Sequence, residues 1–207
     1  MKKIIVTSGI LAAITFSSGA FAQAKNFEGF TAGVNVSSVG GSTKVNGTDE
    51  QNQPGSATAG QQSFVPGIEL GYNFAASNSV ILGFTATYDF TKTKFIDGSD
   101  VDSFVSTYGQ NRYSLNFKPG YVVAPNVMLY ATVGYNSMSM KSSSSGLPDI
   151  SKRLSGIGYG AGISVMLNKN IFAKAEVQQV SYNSWTYDDD TMKPSTTIGT
   201  IGIGYKF

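Results

Sequence analysis

The chain contains no cysteine and no histidine. Without cysteine there is no disulfide framework and no thiolate metal site. Without histidine there is no Ser-His-Asp triad, no imidazole general base and no imidazole metal ligand. Charge is scarce as well: Asp, Glu, Lys and Arg make up 14% of the 207 residues, against about 25% in ordinary soluble domains. Long apolar runs are also missing, since nothing after Ala22 approaches the ~18 continuous apolar residues of a membrane-spanning helix. What the chain has in quantity is glycine, 24 residues, together with 13 Phe and 11 Tyr.

The N-terminus carries an export pattern. Lys2 and Lys3 form a positive region, Ile4 to Phe16 is mostly apolar, and Ala20-Phe21-Ala22 is a small-x-small cleavage site. The apolar stretch, broken by Thr7, Ser8 and Gly9, is short of the ~20 residues a spanning helix needs. Residues 1–22 are expected to be a cleaved signal peptide and residues 23–207 the mature domain. The formal charge of +2 belongs to that signal: 15 Lys+Arg less Lys2 and Lys3 leaves 13, against 13 Asp+Glu.

The mature chain alternates with a period of two, the mark of strands with two unlike faces. Eight such segments are read, at about 27–38, 64–74, 80–91, 110–122, 127–137, 154–167, 171–182 and 196–207. In the third, Leu82, Phe84, Ala86, Tyr88 and Phe90 oppose Gly83, Thr85, Thr87 and Asp89. In the sixth, Ile157, Tyr159, Ala161, Ile163 and Val165 oppose Gly156, Gly158, Gly160, Gly162 and Ser164. Pro66 and Pro119 fall inside strands, where a missing N–H interrupts the ladder, so a bulge or an early strand end is expected at each.

Long polar links (about 39–62, 92–109, 138–153 and 183–195) alternate strictly with short ones (75–79, 123–126 and 168–170). An up-and-down meander then has all long loops at one end and all short turns at the other, the layout of outer-membrane barrels. Ten strand residues at ~3.3 Å each, tilted by about 45°, rise roughly 24 Å, close to the apolar band of such barrels. An open edge in hydrocarbon would strand backbone groups, so the last strand must pair with the first.

A soluble barrel with the apolar face inside is the competing arrangement. The polar face argues against it, being Gly, Ser, Thr and Asn with few charges, whereas a solvated face carries more Lys and Glu. Small residues suit the cramped interior of eight strands. Aromatics cluster near both ends of the apolar face: Phe74, Tyr121, Tyr205 and Phe207 at one, Phe64, Tyr88, Phe90, Tyr113 and Tyr135 at the other. Two interfacial girdles are expected of a membrane barrel.

The closing run Ile201-Gly-Ile-Gly-Tyr-Lys-Phe207 resembles the C-terminal signature of bacterial outer-membrane barrels, with Ile201, Ile203, Tyr205 and Phe207 at alternate positions. Lys118-Pro-Gly-Tyr121, Leu129-Tyr-Ala-Thr-Val-Gly-Tyr135 and Gly156-Ile-Gly-Tyr-Gly-Ala-Gly162 are similar to segments of the outer-membrane β-barrel domain family, which includes opacity-like and outer-membrane protein A-like barrels of the porin family. The resemblance implies an all-β, eight-stranded, antiparallel up-and-down transmembrane barrel in the outer membrane of a Gram-negative bacterium. It also implies reading of the terminal strand by the barrel-assembly machinery.

Seven charges fall on the face assigned to the lumen: Glu69, Asp89, Arg112, Lys118, Lys174, Glu176 and Lys206. Buried charges must pair or meet water, so they read as a salt-bridge network filling the barrel, with a gated narrow pore as the alternative. Asp188, Asp189 and Asp190, beside Trp185, are a candidate cation or contact site in the last loop, or simply a solvated acidic loop. The alternate glycines of 156–162 are not a phosphate loop, since no helix follows them.

Without histidine an enzyme is disfavoured, and without a basic patch so is nucleic-acid binding. The expectation is a monomer with no cofactor, held among outer-membrane lipid and lipopolysaccharide. It would act as a filled, adhesin-like scaffold displaying four surface loops; a small channel for ions, small solutes or apolar ligands is the other reading.

Overall fold

The computed structural model describes the backbone of residues 24–48, 54–90, 93–96, 105–144, 150–183, 185–187 and 190–207, and side chains in all but the outermost parts of these segments. A single turn of 3-10 helix, Ala24–Asn26, precedes ten strands. They are β1 (Gly29–Thr48), β2 (Pro54–Ala75), β3 (Val80–Asp89), β4 (Thr93–Ile96), β5 (Val105–Ala124), β6 (Val127–Ser144), β7 (Ile150–Met166), β8 (Ile171–Tyr182), β9 (Trp185–Tyr187) and β10 (Asp190–Lys206). Eight of them form one antiparallel meander in the order β1-β2-β3-β5-β6-β7-β8-β10. The ring closes through β1 and β10, paired from Thr31↔Lys206 to Asn46↔Thr191. Short β4 adds to β5, and short β9 adds to β10. Among the described residues no helix is long and apolar enough to cross a membrane.

The faces divide as the alternation predicts. Phe30, Phe64, Leu70, Phe84, Leu115, Ile157, Val177 and Ile201 project outward and are largely exposed, while Asn35, Glu69, Asn116, Thr132, Ser164 and Gln178 are buried within the ring. Outward aromatics meet edge to face along the wall, as in Phe30–Tyr72, Tyr88–Phe90 and Tyr205–Phe207.

The strands outrun the sequence expectation. Residues assigned to the first polar link continue the ladder of β1 and β2 from Val39↔Ser63 to Thr48↔Pro54. The links assigned to 92–109, 138–153 and 183–195 likewise contain β4 and the start of β5, the end of β6 and the start of β7, and β9 with the start of β10. The reason is that alternation reports burial of one face, whereas backbone pairing does not require it. Beyond the apolar band these Gly-, Ser- and Thr-rich segments keep their hydrogen bonds and lose the signal.

The prolines also behave differently from the expectation. Pro66 pairs in register with Val36 without a bulge. Its carbonyl accepts from Phe90 N at 3.0 Å, just above the last β2–β3 pair, Gly67↔Asp89. A residue's N and O face the same neighbour in an antiparallel ladder, so the missing N–H points where β3 has ended. At Pro119, pairing with β6 lapses after Phe117↔Val133 and resumes at Gly120↔Tyr130 in the same register. The register shifts of this ladder sit elsewhere, between Val122 and Ala124 and between Gln110 and Tyr113, where Asn111 has φ 53°, a left-handed conformation that Asn tolerates.

The three short connections lie together at one end. Asn168 Oδ1 accepts from the backbone N of Asn170 (2.9 Å) and Ile171 (2.8 Å), a side-chain-closed turn. The N-terminal turn folds under the same end. Ala24 N donates to Asn78 O (3.0 Å), Asn26 Nδ2 to Pro125 O (3.0 Å) and Asn73 Nδ2 to Phe27 O (3.0 Å).

Candidate functional site

The candidate site is the lumen, which is packed in layers. Ala24, Phe27, Ile81, Val122, Met128, Tyr130, Met166 and Phe172 form an apolar cluster at the short-turn end. Phe27, 2% exposed, comes from the N-terminal turn and not from a strand. Glycines admit the large rings: a Cβ on Gly162 would stand 2.5 Å from the Tyr130 ring, and one on Gly204 would collide with that of Phe172.

Above this layer lie four of the seven predicted lumen charges. Lys118 Nζ reaches Glu69 Oε2 (3.1 Å) and Glu176 Oε2 (2.9 Å), and Lys174 Nζ reaches Glu69 Oε2 (2.5 Å). Tyr130 donates its hydroxyl to Glu176 Oε2 (2.9 Å), and Lys118 Nζ stands 5.3 Å from the centre of the Tyr130 ring. These side chains come from β2, β5, β6 and β8, so the cluster ties distant strands across the interior. Gln178 donates to Asn116 Oδ1 (3.0 Å) on the long-loop side of it.

A second ion pair joins Arg112 to Asp89, still nearer the long-loop end. The seventh charge, Lys206, has no ion pair among the described residues; it lines a void at the short-turn end with Lys118 and Lys174. Val39, Val65, Met138, Leu154, Val180, Tyr182 and Ile198 then form a second apolar cluster that covers the charged middle from above.

Neither apolar layer was anticipated from sequence, although the signal was present. Val65 shares parity with Gly67 and Glu69, Ile81 with Gly83, Val180 with Gln178 and Ile198 with Thr200. Apolar residues at polar-parity positions near strand ends mark interior layers and not the lipid face.

Two small voids adjoin the ion cluster among the described residues. One void of about 40 Å³ lies below the ion cluster, and one of about 20 Å³ lies above it. At roughly 10–15 Å³ per water, they hold about three waters and one or two. Among the described residues no group of His, Cys, Asp or Glu could hold a metal ion.

Of the other predicted residues, Ile201, Ile203 and Tyr205 lie outward on β10 and Phe207 directly follows it; all four are 46–74% exposed. Asp188 and Asp189 lie outside the described residues. The backbones of Trp185 and Asp190 pair with Met192 and Tyr187, and their side chains lie outside the described set.

The model of the outer membrane protein β-barrel domain matches residues 8–207. The chain belongs to this family. It is therefore an outer-membrane transmembrane barrel, exported to that membrane. No curated protein sequence matches it. Among solved structures, the family member resembles Ail, the attachment invasion locus protein of Yersinia pestis, at 18% identity and TM-score 0.50, over 87% of this chain and 99% of that one. It also resembles OprG of Pseudomonas aeruginosa (15%, TM-score 0.47, 86% and 98% covered) and the protease OmpT of Escherichia coli (12%, TM-score 0.49, 86% and 97% covered). Likeness at these identities is likeness of fold.

Proposed function

We propose that this barrel is a filled, non-enzymatic scaffold that holds four outer connections at the cell surface for adhesin-like contacts. The observation that carries the reading is the layered lumen, with apolar clusters on both sides of a four-residue ion cluster. A solute would have to displace Phe27, break buried ion pairs and part a second apolar layer. Burying each large apolar side chain contributes about 1.5–3 kcal/mol, and opening a buried pair costs about 3–5 kcal/mol. A barrel so filled is stiff, and stiffness suits presentation of loops.

The remaining parts of the reading follow from the same frame. Signal cleavage after Ala22 leaves Ala24 to Phe27 free to occupy the short-turn mouth. The alternate outward residues Ile201, Ile203, Tyr205 and Phe207 serve as the assembly signal on the strand that closes the ring. Outer-membrane lipid and lipopolysaccharide surround the apolar wall, and the barrel is monomeric.

The two voids flanking the ion cluster favour one second reading, a narrow pore gated by exchange of ion pairs. Planar-bilayer recording of the refolded mature chain separates the two. The scaffold reading expects no conductance above the bare bilayer, together with binding to host cells or matrix that is lost when the outer connections are replaced. A persistent, size-selective conductance would overturn it in favour of the pore.

A further inference from the structure

Among the described residues that face the lumen, the charges do not cancel. Arg112, Lys118, Lys174 and Lys206 carry four positive charges; Glu69, Asp89 and Glu176 carry three negative. The excess sits at the short-turn side, because Asp89 is taken by Arg112. The void of about 40 Å³ is lined there by three lysines, Lys118, Lys174 and Lys206, and one carboxylate, Glu69.

Donors are in excess too. An ammonium carries three N–H donors. Lys118 spends two on Glu69 and Glu176 and turns toward the Tyr130 ring. Lys174 spends one, on Glu69, which leaves two. Lys206, half-buried at the short-turn mouth, has no side-chain partner among the described residues. The hydroxyl of Thr85, 8% exposed and on the void's wall, has no hydrogen-bond partner. Buried donors without acceptors are costly, and a buried excess charge more so.

We propose that this void is a binding site for a chloride-sized monovalent anion. The anion accepts from Lys174, Lys206 and Thr85 and cancels the net lumen charge. Size supports the assignment: at roughly 10–15 Å³ per water-sized particle, the void of about 40 Å³ takes one small anion and one or two waters. A cation is refused by three facing ammonium groups. The site does not depend on whether the barrel is a scaffold or a pore.

The test uses the full mature chain refolded in detergent. Its melting temperature is followed in sodium chloride and in sodium gluconate at matched ionic strength, and a crystal grown in bromide is measured for anomalous scattering. Expected are a saturable rise in Tm with chloride that gluconate does not give, and a bromide peak between Lys174, Lys206 and Thr85. Thr85→Val and Lys206→Met each raise the half-saturating chloride concentration at least tenfold; Lys152→Met, in β7 toward the long-loop end, leaves it unchanged. If Thr85→Val does not fold, Lys206→Met alone decides. Equal Tm in both salts, or a void holding only water, overturns the proposal. Bilayer conductance, the test of the scaffold, reads out separately.

Discussion

Glu69 Oε2 accepts from Lys118 at 3.1 Å, from Lys174 at 2.5 Å and from the Thr87 hydroxyl at 3.5 Å. One oxygen thus anchors two buried ammonium groups. Glu69→Gln is expected to lower stability by about 3–5 kcal/mol, because it leaves buried charge uncompensated; thermal unfolding in detergent, followed by circular dichroism, measures it. Replacing Glu69, Lys118, Lys174 and Glu176 together by Leu and Met is expected to restore most of that loss, since removing both signs also removes the desolvation cost. If the fourfold variant is as unstable as the single one, the cluster's role is not electrostatic balance. Gly162 makes a second residue-scale prediction. Its Cβ would stand 2.5 Å from the Tyr130 ring and hydroxyl. Gly162→Ala should therefore cost about 1–3 kcal/mol by overpacking, and Gly162→Ala with Tyr130→Leu should recover part of it.

At the scale of elements, the N-terminal turn is part of the barrel and not a leader into it. Phe27 is 2% exposed, and three hydrogen bonds tie its turn to the short connections and to Asn73. Phe27→Ala is expected to cost about 3–5 kcal/mol without altering the strand circular-dichroism signal. An unchanged melting temperature would mean that the turn merely lies against the mouth. Strand register is the stricter constraint. β10 pairs β8 through Ile201↔Ala175 and β1 through Val36↔Ile201. One residue inserted after Gly199 reverses the parity of the closing strand, which would put Lys206 into lipid and Tyr205 into the lumen. No folded, heat-resistant species is expected from that insertion, whereas two inserted residues restore parity and allow some folding.

For the whole molecule, the cysteine-free sequence makes orientation measurable. The short connections share the N-terminal end, and in outer-membrane barrels short turns face the periplasm. Ser145→Cys, between β6 and β7, is expected to react with a membrane-impermeant maleimide on intact cells. Lys169→Cys, between β7 and β8, should react only after the outer membrane is opened. The reverse pattern would invert the topology.

Much of this barrel is written in local order. The alternation of Leu82, Phe84, Ala86 and Tyr88 against Gly83, Thr85 and Thr87 dictates a strand with a lipid face and a crowded face, because side chains point alternately from a pleated backbone. Eight such segments, the long-short order of links and the rule that no edge may stay open in hydrocarbon specify closure. The same parity assigns seven charges to the lumen face. Their partners were not legible, since Lys118 meets Glu69 across β3 and Glu176 across β6 and β7, and strand tilt sets that height. Nor were the two apolar layers, the N-terminal stopper or the continuation of β1 and β2 past the apolar band. Sequence alone determined which face each residue takes, a property of neighbours along one strand. Only the closed ring decided which residues share a level inside it, because that depends on how eight strands are staggered against one another.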